Sequence, residues 1–303
     1  MSGAAMPSTV RKGFPLARLT TVRTGGMAEF FARAGSEAEL LELLAWAQGS
    51  GTAVSVVGSG SNLLVADAGV PGLVLKLDGE LQEIAVEGHR ILCGGGARLP
   101  VVAARAARAG LSGIEFGVNI PGTVGGAVRM NANAYGGELE RVLEWVQIAT
   151  AAGAERRSPQ ELGLAYRRSN LGEGEIVIRA SLLLAAADAQ TVKATLAAMR
   201  ARRHEAQPQA IRTFGSTFKN PEDPGAGGRS AGLLLSEAGC NGLAVGGARF
   251  APKHANFIEN TGAATTAEVI AVMAEGRRRV LERFGVALEP EVQTLGDVRF
   301  PWL

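Results

Sequence analysis

The residue types best placed to do chemistry fall in two glycine-rich segments. Gly58-Ser59-Gly60-Ser61-Asn62 lies between the apolar runs at 53–57 and 63–65. Glycines let consecutive backbone N–H groups turn inward around an anion, and Ser59, Ser61 and Asn62 add neutral donors. A diphosphate cradle and an ordinary strand–turn–strand both fit this spacing. No Lys-Ser/Thr pair follows, so this is not a Walker loop, and Gly58-x-Gly60 lacks the third glycine of a Rossmann fingerprint. The second segment runs from Gly117 through Ile120-Pro121-Gly122-Thr123-Val124-Gly125-Gly126-Ala127 to Asn133-Ala134-Tyr135-Gly136-Gly137. It carries almost no charge between Gly117 and Ala127, which makes it a poor exposed loop. Two readings fit: backbone packed against a large flat ligand with polar edges, or a buried structural loop.

Other chemistries are excluded by count and spacing. Cys93 and Cys240 cannot make a disulfide framework, and with His89, His204 and His254 they match no metal spacing. No metal site is expected, and the cysteines read as core thiols. With 31 Lys+Arg against 29 Asp+Glu, the formal charge of +2 is too balanced for a phosphate-tracking surface. Nucleic acid and acidic membrane are therefore not expected partners. The first 22 residues lack the apolar core of a secretory signal, and the most apolar stretch, 180–187, is far short of the roughly 20 residues of a spanning helix. A reducing, cytoplasmic location is expected.

The elements that must hold these segments can be read from capping and periodicity. The first 20 residues read as a mobile arm. Ser36 and Glu39 form a capping box for a helix with Leu40, Leu43, Leu44 and Ala47 on one face, ended by Gly49 and Gly51. A short buried strand follows at 53–57, with further strands at 63–65, 73–77, 83–86 and 90–93. Pro100 and Gly110 bracket a second helix. Residues 117–137 read as irregular, 145–150 and 175–184 as strands, and Ser158…Glu161 as the capping box of a short helix. A long helix begins at Asp188, and Gln207-Pro208-Gln209 marks a break between domains. Beyond it come a short helix at 230–238, a strand near 255–258, a long helix from Thr265…Glu268 to Gly285, and a final strand. This mixture predicts an α+β fold in two domains, 21–203 and 204–303, after the arm at 1–20.

An ordered set of motifs then becomes recognisable: Thr24-Gly-Gly, Gly58-Ser-Gly-Ser-Asn-Leu-Leu, Ile120-Pro-Gly-Thr-Val-Gly-Gly, Asn133-Ala-Tyr-Gly-Gly, Tyr166-Arg-Arg-Ser, Gly215-Ser-Thr-Phe-Lys-Asn-Pro, His254-Ala-Asn-Phe-Ile and Leu288-Glu-Pro-Glu-Val. Together, over roughly residues 20 to 296, they closely resemble the UDP-N-acetylenolpyruvoylglucosamine reductase family. No insertion stands where the family's first type carries an extra substrate-covering loop, so the chain is similar to the shorter second type. The resemblance implies a two-part FAD-binding domain of the vanillyl-alcohol-oxidase/p-cresol-methylhydroxylase class and a C-terminal α+β substrate-binding domain. It implies that Gly58, Ser59, Gly60, Ser61 and Asn62 hold the FAD diphosphate, and that Ile120, Pro121, Gly122, Thr123, Gly125 and Gly126 run along the cofactor. No His or Cys stands beside the first loop, so the FAD is expected to be noncovalent.

By motif position the resemblance gives Ser216 the role of proton donor, Arg167 that of the catalytic arginine and Glu291 that of the catalytic carboxyl group. Tyr135 and Asn220 take substrate-binding positions. Without the family, Ser216 reads as a turn serine, Arg167 as half of a surface arginine pair and Glu291 as an edge-strand acid. The implied reaction passes hydride from NADPH through FAD to the enolpyruvyl group of UDP-N-acetylglucosamine enolpyruvate, giving UDP-N-acetylmuramate for peptidoglycan synthesis. A monomer is the expected form. Two positions depart from the pattern: Ala206 replaces a lysine and Gln293 replaces a basic residue. Lys219 and Arg212 are the substitutes for positive charge near the substrate diphosphate.

Overall fold

The computed structural model describes residues 5–303, and the chain divides into two compact units. The first contains the chain up to Lys12 with Phe30–Ser59 and Gly72–Arg203; the second contains Gly13–Glu29, Gly60–Pro71 and His204–Leu303. The sequence places 21–203 in one continuous domain, whereas two short segments of it join the C-terminal residues. Pairing explains this: Leu63–Val65 lies parallel to Gln293–Leu295, and Val22 and Leu64 are buried in the second unit's core.

In the first unit, a five-stranded antiparallel sheet runs in the order Gly153–Arg157, Leu143–Thr150, Ile176–Leu183, Arg90–Gly94, Ile84–Glu87. Its central strand Ile176–Leu183 is buried at six of eight positions, as a strand covered on both faces must be. Helix Leu99–Arg108, with proline in its first turn, packs Val102, Ala103 and Ala106 into a core with Ile91, Val146 and Leu182. Helix Glu37–Gly49 packs Leu40, Leu43, Leu44 and Ala47 with Leu73, Leu75 and Ile178. Ser36 Oγ accepts from Glu39 N at 3.2 Å, but the Glu39 carboxylate accepts from Gly35 N at 2.7 Å, so the expected capping box closes one residue early. Cys93 is buried, and burial pushes its thiol up to about 12, which makes it inert.

A four-stranded sheet has the order Arg11–Pro15, Met27–Ala34, Val70–Leu77, Val54–Val56. This corrects two expectations. Residues 1–4 lie outside the described part, but 11–20 are not an arm: Arg11–Pro15 is an edge strand, and Leu16 is fully buried with its N–H on Gly26 O at 3.0 Å. The strand Val54–Val56, expected to be buried, is also an edge, and Val56 is 39% exposed.

In the second unit, strands Thr213–Ser216, His254–Asn260, Ala248–Ala251 and Ala244–Val245 form an antiparallel sheet in that order. Helices Ala231–Glu237 and Thr266–Phe284 pack Leu234, Val269, Val272 and Val280 against Phe214, Phe218 and Phe250. Thr265 and Glu268 close the expected capping box, Asp67 accepts from Thr266 N and Ala267 N at 2.9 Å each, and Gly285 ends the helix at φ +71°.

Two further expectations need correction. Residues 117–137 are not irregular throughout, because Thr123 caps a helix at Val124–Arg129. Ser158 and Glu161 do bond reciprocally, at 2.8 and 3.4 Å, but they close only a turn, since Gly163 at φ +51° redirects the chain before a helix can propagate. Among the described residues, no helix is long and apolar enough to cross a membrane.

Candidate active site

The 58–62 loop follows Val54–Val56 and leads into Leu63–Val65. Its carbonyls are held: Gly58 O accepts from Lys76 Nζ at 2.6 Å, and Gly60 O accepts from Thr21 N at 3.0 Å. Among the described residues, none of its backbone N–H groups from Gly58 to Asn62 has an acceptor. Folded chains leave few such donors unpaired, and a consecutive run of them is what an anion binds. Glycine is required twice here. A Cβ at Gly58 would lie 2.5 Å from Thr123 Oγ1, and one at Gly60, φ +63°, would lie 2.0 Å from Leu19 O.

The second glycine segment is tied down at its centre. Val124 N donates to Ala97 O at 2.9 Å, Gly125 N to Gly95 O at 2.8 Å, and Gly126 N to Thr123 Oγ1 at 3.3 Å. A Cβ at Gly125 would approach Gly95 O to 3.1 Å, so glycine permits a close backbone contact there. Pro121 and Gly126 are exposed, Ile120, Gly122 and Gly125 half-buried and Thr123 buried. Both readings of this segment find support: internal packing on one side, and on the other a cavity lined by Gly58, Lys76, Gly96, Thr123, Gly126 and Val177.

Lys76 was not found by motif. It interrupts the apolar strand Val70–Leu77, and that interruption is its signal in the sequence. Burial lowers its pKa, Arg33 and Arg98 push the same way, and Asp78 opposes them. Asp78 itself pairs with Arg33 at 2.9 Å. An ammonium has three donors, and among the described residues Lys76 has one acceptor, Gly58 O. The cavity wall therefore carries a half-buried cation suited to an anionic ligand.

Arg167 occupies a tight turn in which Ala165 N donates to Arg168 O and Arg168 N to Ala165 O, both at 3.0 Å. Its φ of +56° is a left-handed conformation that normally favours glycine. Its Nη1 donates to Asn133 Oδ1 at 2.8 Å, and its guanidinium lies 5.1 Å from the centre of the Tyr166 ring. Asn133 begins a two-strand hairpin whose turn holds Tyr135 at φ +52° and Gly136 at φ +79°. The Tyr135 hydroxyl accepts from Asn119 Nδ2 at 3.1 Å. The first unit thus brings Arg167, Asn133 and Tyr135 into one neighbourhood.

The second unit brings Ser216 and Glu291 together through the backbone. Ser216 ends its strand opposite Phe257, after Gly215 at φ +85°. Beyond it, Lys219 N donates to Glu289 O and Glu291 N to Thr217 O, both at 2.9 Å, with Phe218 bridging Pro290. Asn62 Nδ2 donates to Glu291 O at 3.2 Å, and Gln293 N donates to Asn62 O at 3.1 Å. Ser216 and Glu291 are both half-buried. Among the described residues, the Ser216 hydroxyl has no hydrogen-bond partner. Asn220 is exposed, and its Oδ1 accepts from Ala231 N at 3.1 Å, at the start of helix Ala231–Glu237. Of the two substitute cations, Lys219 pairs with Glu289 at 3.2 Å, and Arg212 is exposed with Nη1 3.5 Å from Gly262 O.

Residues 207–295 match the family of the C-terminal domain of UDP-N-acetylenolpyruvoylglucosamine reductase, and residues 28–158 match an FAD binding domain family. The chain is 42% identical over 298 residues to UDP-N-acetylenolpyruvoylglucosamine reductase 2 of Symbiobacterium thermophilum, covering 98% of this chain and 94% of that one. It is 44% identical over 283 residues to the reductase of Paramagnetospirillum magneticum, covering 93% and 90%. The crystal structure of UDP-N-acetylenolpyruvylglucosamine reductase from Thermus caldophilus aligns with a TM-score of 0.82 at 37% identity, covering 94% of this chain and 99% of that one. The expected α+β class, an FAD-binding domain followed by a C-terminal domain particular to these reductases, stands on these matches and on the mixed sheets and helices above.

Proposed function

Since the chain belongs to the UDP-N-acetylenolpyruvoylglucosamine reductase family, in its short form, and carries an FAD-binding domain, we propose that it reduces the enolpyruvyl group of UDP-N-acetylglucosamine enolpyruvate with NADPH. The product is UDP-N-acetylmuramate, and the enzyme acts as a monomer in the cytoplasm. The single observation that carries this reading is the unpartnered Ser216 hydroxyl on a segment laced to that of Glu291. Its test is an anaerobic titration. NADPH should bleach a yellow protein stoichiometrically, and the enolpyruvyl nucleotide should restore the colour. Oxygen consumption in place of nucleotide reduction would indicate a flavin oxidase, and no turnover would indicate a noncatalytic flavin or UDP-sugar sensor.

The residues present fit FAD. The unpaired N–H groups of residues 58–62 would hold its diphosphate, with Lys76 supplying a counter-charge and the 120–126 segment lying along it. Bound FAD would supply the redox chemistry, taking hydride from NADPH and delivering it to C3 of the enolpyruvyl group. As C3 gains hydride, negative charge develops at C2 and on the adjacent carboxylate. The Arg167 guanidinium, fixed by Asn133, favours that charge over the ground state, which is the differential binding that lowers a barrier. The Glu291 carboxyl, where held protonated by its surroundings, would hydrogen-bond the same enolate. Ser216 gives its hydroxyl proton to C2 and recovers one from solvent. Tyr135 and Asn220 contribute to holding the nucleotide.

Two predictions follow from the cofactor reading. No His or Cys lies in residues 58–62, so acid precipitation should release all flavin to the supernatant as FAD; colour retained in the pellet would contradict noncovalent binding. Lys76→Met keeps the stem and removes the charge. A hydrogen bond to a charged group is worth roughly 1.5–3 kcal/mol, so FAD affinity should fall by about 10- to 100-fold. Fluorescence titration of the apoprotein measures this, and an unchanged Kd would remove Lys76 from the cradle.

A further inference from the structure

The strand Thr213–Ser216 pairs with His254–Asn260, but after Ser216 its backbone pulls away from that neighbour. One ladder bond continues, from Thr217 N to Asn256 O at 2.8 Å. The next residue is held by a side chain instead. Asn256 Oδ1 accepts from Phe218 N at 2.9 Å, and Asn256 Nδ2 donates to Phe218 O at 2.8 Å. Asn256 is 4% exposed and Phe218 fully buried, so no solvent competes for these bonds. Phe218 in turn bridges Pro290, between the two backbone bonds that tie 217–219 to 289–291. The carboxamide therefore fixes the one segment that carries Ser216 at its start and aligns Glu291 at its far side. Asn256 is itself held, because His254 Nδ1 accepts its backbone N–H at 3.2 Å, and burial keeps His254 below its ordinary pKa and so in the neutral form that can accept.

We propose that Asn256 is a positioning residue for protonation at C2, acting through Phe218 to set the place of Ser216 relative to Glu291. A primary amide offers one donor and one acceptor in a plane at this reach without regard to pH, which is what a strand-like pair with Phe218 N and O demands. The inference rests on the reading of Ser216 as proton donor. It adds that the hydroxyl is placed by a residue that never touches the substrate. Misplacement of a reacting group by about 1 Å can cost on the order of 10²-fold in rate.

The test uses the FAD-loaded protein and follows its two half-reactions separately. Asn256→Asp retains the acceptor for Phe218 N, and its protonated form also donates to Phe218 O, restoring both bonds; the ionised form places negative charge against that carbonyl. Its rate of reoxidation by the enolpyruvyl nucleotide, relative to the unaltered protein, should therefore fall by about 10²-fold as pH rises through the pKa of the buried carboxyl. Reduction by NADPH, FAD content and nucleotide affinity should stay level over the same range. In a Ser216→Ala background, Asn256→Ala should slow reoxidation by far less than it does with Ser216 present. A pH-independent ratio near one, a parallel fall in both half-reactions, loss of FAD content, or additive slowing in the double variant would each overturn the inference. If Ser216→Ala alone reoxidises at full speed, the donor reading fails and takes this inference with it. If Ser216→Ala is slow while both Asn256 variants are fast, the donor reading stands and only the positioning role is lost.

Discussion

Ser216→Ala should leave reduction of bound FAD by NADPH near its normal rate and slow reoxidation by the enolpyruvyl nucleotide by about 10²–10⁴-fold, the usual worth of a positioned general acid. The structural alternative, a hydroxyl that merely caps the turn after Gly215, has a weak foundation here. The turn's hydroxyl bond comes from Thr213, whose Oγ1 accepts from Gly215 N at 3.3 Å. The Ser216 hydroxyl has no partner among the described residues, and the serine is half-buried. Deleting it strands no buried donor or acceptor, so the variant should keep its Tm and FAD content within ordinary surface-substitution limits. With protonation slowed, hydride arrival at C3 becomes reversible. Deuterium supplied on NADPH should then appear at C3 of recovered, unreacted substrate. Ser216→Cys should regain part of the rate, since a thiol can also donate. Full-speed reoxidation in Ser216→Ala would remove the donor role.

What could be read in the sequence was what a few neighbouring residues decide among themselves. Ser36, Thr265 with Glu268, and Gly285 mark helix ends through bonds spanning three or four positions, Pro100 marks one by its fixed φ, and those helices stand close to where the spacing puts them. What escaped depends on distant partners. Leu16 has no local reason to be buried, and its anchor is Gly26 O. The helix Val124–Arg129 contains two glycines that lower its propensity; bonds from Val124 and Gly125 to Ala97 and Gly95 hold it in place. The parallel pair of Leu63–Val65 with Gln293–Leu295 joins segments about 230 residues apart, and it redraws the domain boundary without leaving a mark in either segment. The site divides in the same way. Glycine loops and motif residues were legible as motifs, Asn256 among them within His254-Ala-Asn-Phe-Ile, whereas the partners that give Lys76 and Asn256 their work, Gly58 O for one and Phe218 N and O for the other, are set by the fold.

Arg167→Lys should slow reoxidation by about 10²–10³-fold, the cost of removing one preorganised donor from a developing oxyanion, while reduction by NADPH stays within a few-fold of normal. Lysine keeps the charge and loses the planar fork. In this protein the fork matters because one prong is already committed: Nη1 is held by Asn133 Oδ1 at 2.8 Å, which fixes the plane from which the other donors project. A lysine held by Asn133 would have no rigid plane left to present. Arg167→Gly separates function from fold. The native φ of +56° costs a non-glycine residue roughly 1–2 kcal/mol, and glycine relieves that strain while giving up the guanidinium's contacts, among them the charged bond to Asn133, worth roughly 1.5–3 kcal/mol. Arg167→Gly should reoxidise more slowly than Arg167→Lys, with reduction by NADPH still within a few-fold of normal. A residue retained at a strained position for its side chain behaves this way. If Arg167→Gly reoxidises as fast as Arg167→Lys, or if Arg167→Lys slows both half-reactions equally, Arg167 shapes the site and does not stabilise the charge at C2.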